Sequence, residues 1–176
     1  MRLTPHVMNG VEHWEDVLQA FDTLCKRYTG ETVLELGAEY MLDSGFRERL
    51  EKGLQPCAGL CIGRDVLFSP PNNLDELLYN VSLAGYTPVI AHPERYLYMR
   101  YGDYCELKDK GYLLQLNLLS LSGYYGKQVM KNAETLLEKG MYDMVGTDLH
   151  NLETFGKWIG NVRLTDKLAR EIMSLR

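Results

Sequence analysis

A chain of 176 residues with 45% hydrophobic side chains is long enough to bury a real core and reads as one globular domain over residues 1–176. Its net charge of -5, from 19 basic and 24 acidic side chains, argues against a nucleic-acid binder, which needs a basic face. No apolar run approaches the ~18 residues of a membrane span. The N-terminus MRLTPHVMNG lacks signal-peptide character. Of the cysteines Cys25, Cys57, Cys61 and Cys105, only Cys57 and Cys61 are close. One C-x3-C pair is a weak zinc signal, so all four read as reduced thiols in a cytoplasmic protein.

Met1 to Thr4 reads as a short strand stopped by Pro5, which leaves His6 just past its end. A helix from about Val11 to Arg27 carries Val11, Trp14, Val17, Leu18, Phe21 and Leu24 on one face, with His13 as an exposed helix residue. Thr32 to Leu36 is the next strand, followed by Gly37-Ala38-Glu39, and a short charged helix runs from Gly45 to Lys52. Leu60 to Phe68 reads as a strand broken by Gly63-Arg64-Asp65 and ended by Pro70-Pro71. Asn73 is placed to cap a helix bearing Leu74, Leu77, Leu78 and Val81, with Gly85 as its stop.

The stretch TPVIAHPERY then begins as the buried strand Val89-Ile90-Ala91 and ends abruptly at His92-Pro93, because proline has no N–H to continue a ladder. A helix from Tyr101 to Lys110 leads to the strand Tyr112 to Leu116. An amphipathic helix from Gly126 to Lys139 precedes the last strand, Tyr142 to Val145, which runs into GTDLHN. A helix from about Leu164 to Leu175 closes the chain. Six β-α repeats with short connections predict an α/β fold of parallel strands and helical crossovers. Periodicity alone does not separate an open sheet from a barrel.

His6, Glu39, His92, Asp148 and His150 all fall just past the C-terminal end of a predicted strand. In a parallel barrel five such side chains converge on one rim. Imidazoles and carboxylates together suit zinc, manganese or iron, and a carboxylate such as Glu39 can bridge two ions. The bland alternative makes Asp148 a cap, Glu39 a surface acid and the histidines incidental; three of four histidines at strand ends weigh against it. The chain has no G-x-S-x-G elbow, phosphate-binding P-loop or G-x-G-x-x-G fingerprint, and no cysteine is followed six positions later by the arginine of a cysteine-dependent phosphatase.

TPHVMNG, Gly37-Ala38-Glu39, IAHPERY, QLNLLSLSGYYGK and GTDLHN together resemble the PHP family of metal-dependent phosphoesterases, and within it the capsule-type bacterial protein-tyrosine phosphatases. The resemblance implies a distorted (β/α) barrel of seven units with two or three metal ions at its C-terminal rim. His6, Glu39, His92, Asp148 and His150 match the family's metal ligands, and Arg95 matches an arginine that holds the phosphate. The implied reaction is hydrolysis of phosphotyrosine on a protein of capsular or exopolysaccharide synthesis, the partner being the tyrosine kinase of polysaccharide assembly. Manganese is the first expectation for the metal, with iron or zinc as alternatives. The family opens on a strand with an H-x-H pair, which is missing here, so six units are expected in an N-terminally incomplete domain. The sheet edge left open should self-associate or be covered. Where the family carries a ligand glutamate, this chain has Gly63-Arg64-Asp65. Two other readings stay open: an inactive truncated homologue, and a phosphoesterase acting on a small phosphate monoester.

Overall fold

The computed structural model describes residues 1–10, 14–54, 59–61 and 73–175. His13, Gly63-Arg64-Asp65 and Pro70-Pro71 lie outside the described residues. The strands are β1 (Arg2–Leu3), β2 (His6–Val7), β3 (Glu35–Leu36), β4 (Glu39–Met41), β5 (Gly59–Cys61), β6 (Val89–Ala91), β7 (Leu113–Asn117) and β8 (Met144–Gly146). The helices are α1 (Trp14–Arg27), α2 (Phe46–Glu51), α3 (Leu74–Leu83), α4 (Tyr101–Asp109), α5 (Lys127–Glu138), α6 (Leu152–Ile159) and α7 (Asp166–Ser174).

Six strands form one sheet in the order β2-β4-β5-β6-β7-β8, and every pair is parallel. β1 and β3 make a separate parallel pair. The alternation of strand and helix therefore produced the parallel α/β arrangement expected of it. Closure of six βα units into a barrel is not observed: β2 and β8 are the two edges of the sheet and do not pair with each other.

The first strand ends before Pro5, as expected, but strand pairing resumes beyond it. Backbone amides of Glu35, Gly37 and Glu39 donate in turn to the carbonyls of Met1, Leu3 and Pro5, at 2.9, 2.8 and 3.0 Å. Proline accepts here but has no N–H to return, so one extended segment breaks into the two short ladders β1-β3 and β2-β4. His6 and Glu39 thus follow β1 and β3 but also open β2 and β4, and the two are register partners.

Ile90, Leu114 and Leu116 on the central strands are fully buried, packed in one core with Leu78, Val81, Ala133, Leu136 and Leu137 from α3 and α5. The stripes expected on those two helices are the faces they bury. Asn73 does occupy the cap position of α3, but its side chain makes no capping hydrogen bond. The apolar face of α1 has a different fate: no residue of that helix is buried, and Leu18 and Leu24 are exposed. Helix α6 was not expected from the sequence. Its cap, Asn151, accepts a hydrogen bond from the Thr154 amide at 2.8 Å. Among the described residues no helix is long and apolar enough to cross a membrane.

Candidate metal centre

The turn after β6 is built by Pro93. With φ fixed near the helical value, proline starts a single 3-10 turn over Pro93–Arg95, closed by Arg95 N donating to His92 O and Tyr96 N to Pro93 O, both at 3.0 Å. His92 enters that turn with φ 39°. The other non-glycine residue with positive φ among the described residues is Asp148, at 48°. Such conformations are costly for side-chain-bearing residues and collect at functional sites. Here they pick out two of the five predicted ligands.

The turn is anchored from below by Glu94, a fully buried carboxylate. Its Oε1 accepts from the Asn117 amide at 3.0 Å and the Ser120 hydroxyl at 2.7 Å; its Oε2 accepts from the Tyr142 hydroxyl at 2.9 Å. Burial pushes the Glu94 carboxyl above the usual glutamate range, against the downward pull of the Ser120 and Asn117 hydrogen bonds. Burial, reinforced by the Glu94 charge, holds the Tyr142 hydroxyl well above its ordinary value, so it remains a donor.

Above this base the predicted ligands separate into two groups. His6, Asp148 and His150 bring ligand atoms within 4.8 Å of one another. The His6 and His150 rings lie 5.0 Å apart, although His6 is on one edge strand and His150 follows the other. Three donors on a single ion at ~2.1 Å lie roughly 3.4–3.6 Å apart, so the three draw together by up to about 1.4 Å to share an ion. Glu39 and His92 form the second group, with His92 Nε2 3.3 Å from Glu39 Oε1, close to the roughly 3.4 Å edge of a tetrahedral site. Pairing of His6 with Glu39 across β2 and β4 makes the groups neighbours. The donor set, imidazole nitrogen with carboxylate oxygen, fits a divalent transition metal.

Asp148 is the hub. Its Oδ2 accepts from Asn117 Nδ2 at 3.0 Å, Arg95 Nη1 at 3.3 Å and the Tyr125 hydroxyl at 3.3 Å. His150 Nδ1 is 2.9 Å from the Asp148 carbonyl and 3.2 Å from Oδ1. Placing the ring proton on Nδ1 satisfies the carbonyl and leaves the Nε2 lone pair for a metal. Arg95 also lies over the Tyr125 ring, 4.4 Å from its centroid. Burial, then the Asp148 charge, raises the Tyr125 hydroxyl above its ordinary value, so it too stays a donor.

Sequence reasoning passed over Glu94, Asn117 and Tyr125. Asn117 did carry a signal, as a polar residue closing the apolar strand β7 at the same rim. Glu94 and Tyr125 stood only inside the motifs IAHPERY and QLNLLSLSGYYGK, and their roles rest on burial and packed partners, which are properties of the folded chain.

Residues 1–157 match the family described as capsular polysaccharide synthesis, CpsB/CapC. The chain belongs to this family. The tyrosine-protein phosphatase YwqE of Bacillus subtilis (strain 168) is 32% identical over 163 residues, covering 86% of this chain and 63% of YwqE. The tyrosine-protein phosphatase CpsB of Streptococcus pneumoniae is 31% identical over 152 residues, covering 80% of this chain and 61% of CpsB. The chain thus spans somewhat less than two thirds of the length of these curated relatives. A crystal structure described under YwqE and CpsB, "unique metal-dependent tyrosine phosphatases", superposes with a TM-score of 0.68 at 26% identity, over 90% of this chain and 68% of that one. The likeness to capsule-type phosphatases read from HPERY and GTDLHN therefore extends to the fold.

Proposed function

We propose that this chain carries the site of a metal-dependent phosphoesterase that hydrolyses phosphotyrosine on a protein of capsular or exopolysaccharide synthesis. The observation that carries the reading is the meeting of His6, Asp148 and His150 directly beside Arg95. A cluster of metal-type donors joined to a guanidinium is what a phosphate monoester dianion needs. The relatives' printed names supply the ester and the setting.

In this reading His6, Asp148 and His150 hold one divalent ion, and Glu39 with His92 holds part of a second. Bound divalent ions supply Lewis acidity and lower the pKa of water, manganese being the first choice and iron or zinc the alternatives. Arg95 uses Nη1 on Asp148 and turns its remaining N–H groups to phosphate oxygens, where they offset developing charge. Asn117 and Tyr125 keep the Asp148 carboxylate oriented while substrate comes and goes. The curled sheet is read as a PHP-type barrel opened between β2 and β8, forming a single domain whose open edge pairs with a second copy or a covering segment. The partner is the phosphotyrosine-bearing kinase of polysaccharide assembly, in the cytoplasm, a reducing compartment compatible with the free thiols of Cys25 and Cys105.

The test is metal analysis of the purified chain, then hydrolysis of a phosphotyrosine peptide with manganese supplied. Stoichiometric metal and turnover are expected. Arg95→Ala should lower the rate roughly 100- to 1000-fold, the usual effect of removing a group that stabilises transition-state charge. Metal uptake without turnover would favour the inactive-homologue reading, and faster turnover of glycerol phosphate than of the peptide would favour a small substrate. Neither metal nor turnover would end the proposal.

His92→Ala should separately reduce bound manganese, because it removes a neutral nitrogen donor 3.3 Å from Glu39. Circular dichroism should show the fold intact. An unchanged metal content in this variant would remove His92 from the site.

A further inference from the structure

We infer that Tyr125 is a positioning residue that locks Arg95 and Asp148 together through two separable contacts; the inference rests on the phosphoesterase reading above. The ring face supports the Arg95 guanidinium 4.4 Å from its centroid. The hydroxyl donates to Asp148 Oδ2 at 3.3 Å and accepts from Asn117 Nδ2 at 3.3 Å. One side chain therefore touches the residue assigned to the phosphate and the residue assigned to the metal.

The surroundings hold Tyr125 in place. It lies in a tight turn between Gly123 and Gly126, whose φ angles of 82° and 95° suit glycine, and Gly126 N donates to Gly123 O at 2.9 Å. Tyr124 packs edge-on against the Tyr125 ring at 4.7 Å, and Trp158 of α6 packs edge-on against Tyr124 at 5.5 Å. An arginine stacked on a fixed aromatic face loses less freedom when it engages an anion. A carboxylate whose outer oxygen is hydrogen-bonded presents its other oxygen to a metal in a defined direction. The two contacts have different chemical requirements, which makes them distinguishable. The ring platform survives in phenylalanine; the hydroxyl bond does not.

The experiment compares the parent chain with Tyr125→Phe, Tyr125→Leu and Arg95→Ala. Manganese affinity is measured by calorimetry, then inorganic phosphate is titrated onto the manganese-loaded proteins, and thermal melting is followed throughout. Tyr125→Phe should weaken manganese binding about tenfold, as loss of an outer-shell partner does, while phosphate binding stays at the parent level. Tyr125→Leu should show the same manganese deficit and in addition weaken phosphate binding roughly 3- to 10-fold, toward the Arg95→Ala value. Parent manganese affinity in Tyr125→Phe would overturn the Asp148 contact, and parent phosphate affinity in Tyr125→Leu would overturn the Arg95 platform. If both readouts fell equally in the Phe and Leu variants together with the melting temperature, Tyr125 would be merely structural and the inference would fail. A parent chain that took up no manganese would instead fail the phosphoesterase reading, and this inference with it.

Discussion

Asp148→Asn is expected to lower manganese affinity on the order of 100-fold, about 2.8 kcal/mol, while the chain stays folded. Asparagine is the substitution to use because it tolerates the left-handed backbone, and residue 148 sits at φ 48°. Its amide is nearly isosteric but neutral, so the metal loses an anionic ligand. Oδ2 now accepts from Asn117, Arg95 and Tyr125 together. An amide NH2 turned that way meets three donors; turned the other way, it faces His150 Nδ1, 3.2 Å from Oδ1. Either orientation disturbs one side of the hub. Phosphate binding should weaken as well, because Arg95 loses the carboxylate that orients it. Calorimetric titration with manganese, alongside a thermal melt, is the check. Parent-like affinity in a folded Asp148→Asn chain would mean that the metal is held elsewhere.

Glu94→Ala should cost about 3–5 kcal/mol of stability, the largest such effect expected of any residue in the HPER turn. Truncation strands the Asn117 amide and the Ser120 and Tyr142 hydroxyls around a fully buried void, and removes the link between the 3-10 turn and β7. Glu94→Gln keeps the shape and, through rotation of the Tyr142 hydroxyl, most of the hydrogen bonds, so it should cost far less at neutral pH.

The same residue sets a pH dependence. Its folded-state carboxyl is raised by burial, so over a window above the ordinary glutamate range the folded chain binds more protons than the unfolded one. Stability then falls as pH rises: the contribution is fully present below the unfolded value and is lost through the raised folded value. Glutamine has no such proton. The stability of Glu94→Gln relative to the parent should therefore improve from pH 4 upward, as read by urea unfolding across that range without metal. Parallel pH profiles for the two chains would show that the Glu94 carboxyl titrates at its ordinary value.

How much of this was legible in the sequence depended on the range of the forces involved. Local chemistry determined the helices α3 and α5, whose buried stripes follow from spacing, and the abrupt end of β6, where a proline cannot donate. Three of the predicted ligands, His92, Asp148 and His150, lie past strand ends, the first because Pro93 stops β6. The stop expected at Pro5 is there, since β1 ends at Leu3, but the Pro5 carbonyl still pairs and the ladder resumes, so His6 and Glu39 also open strands of their own. Helix α6 does have a local signal, the cap Asn151 that closes the motif GTDLHN.

Only the tertiary structure decided which groups meet. His6 and His150 belong to opposite edges of the strand order, yet their rings lie 5.0 Å apart. Twist accumulated across the parallel sheet is a property of all the strands and is written in no single one. The sheet that results stays open between β2 and β8. The burial of Glu94, the division of the ligands into two groups and the seat of Arg95 on Tyr125 are likewise tertiary contacts. They set the turn after β6 beside the end of β7 and the residues flanking β8, and contacts between residues so far apart in the chain leave no periodicity to read.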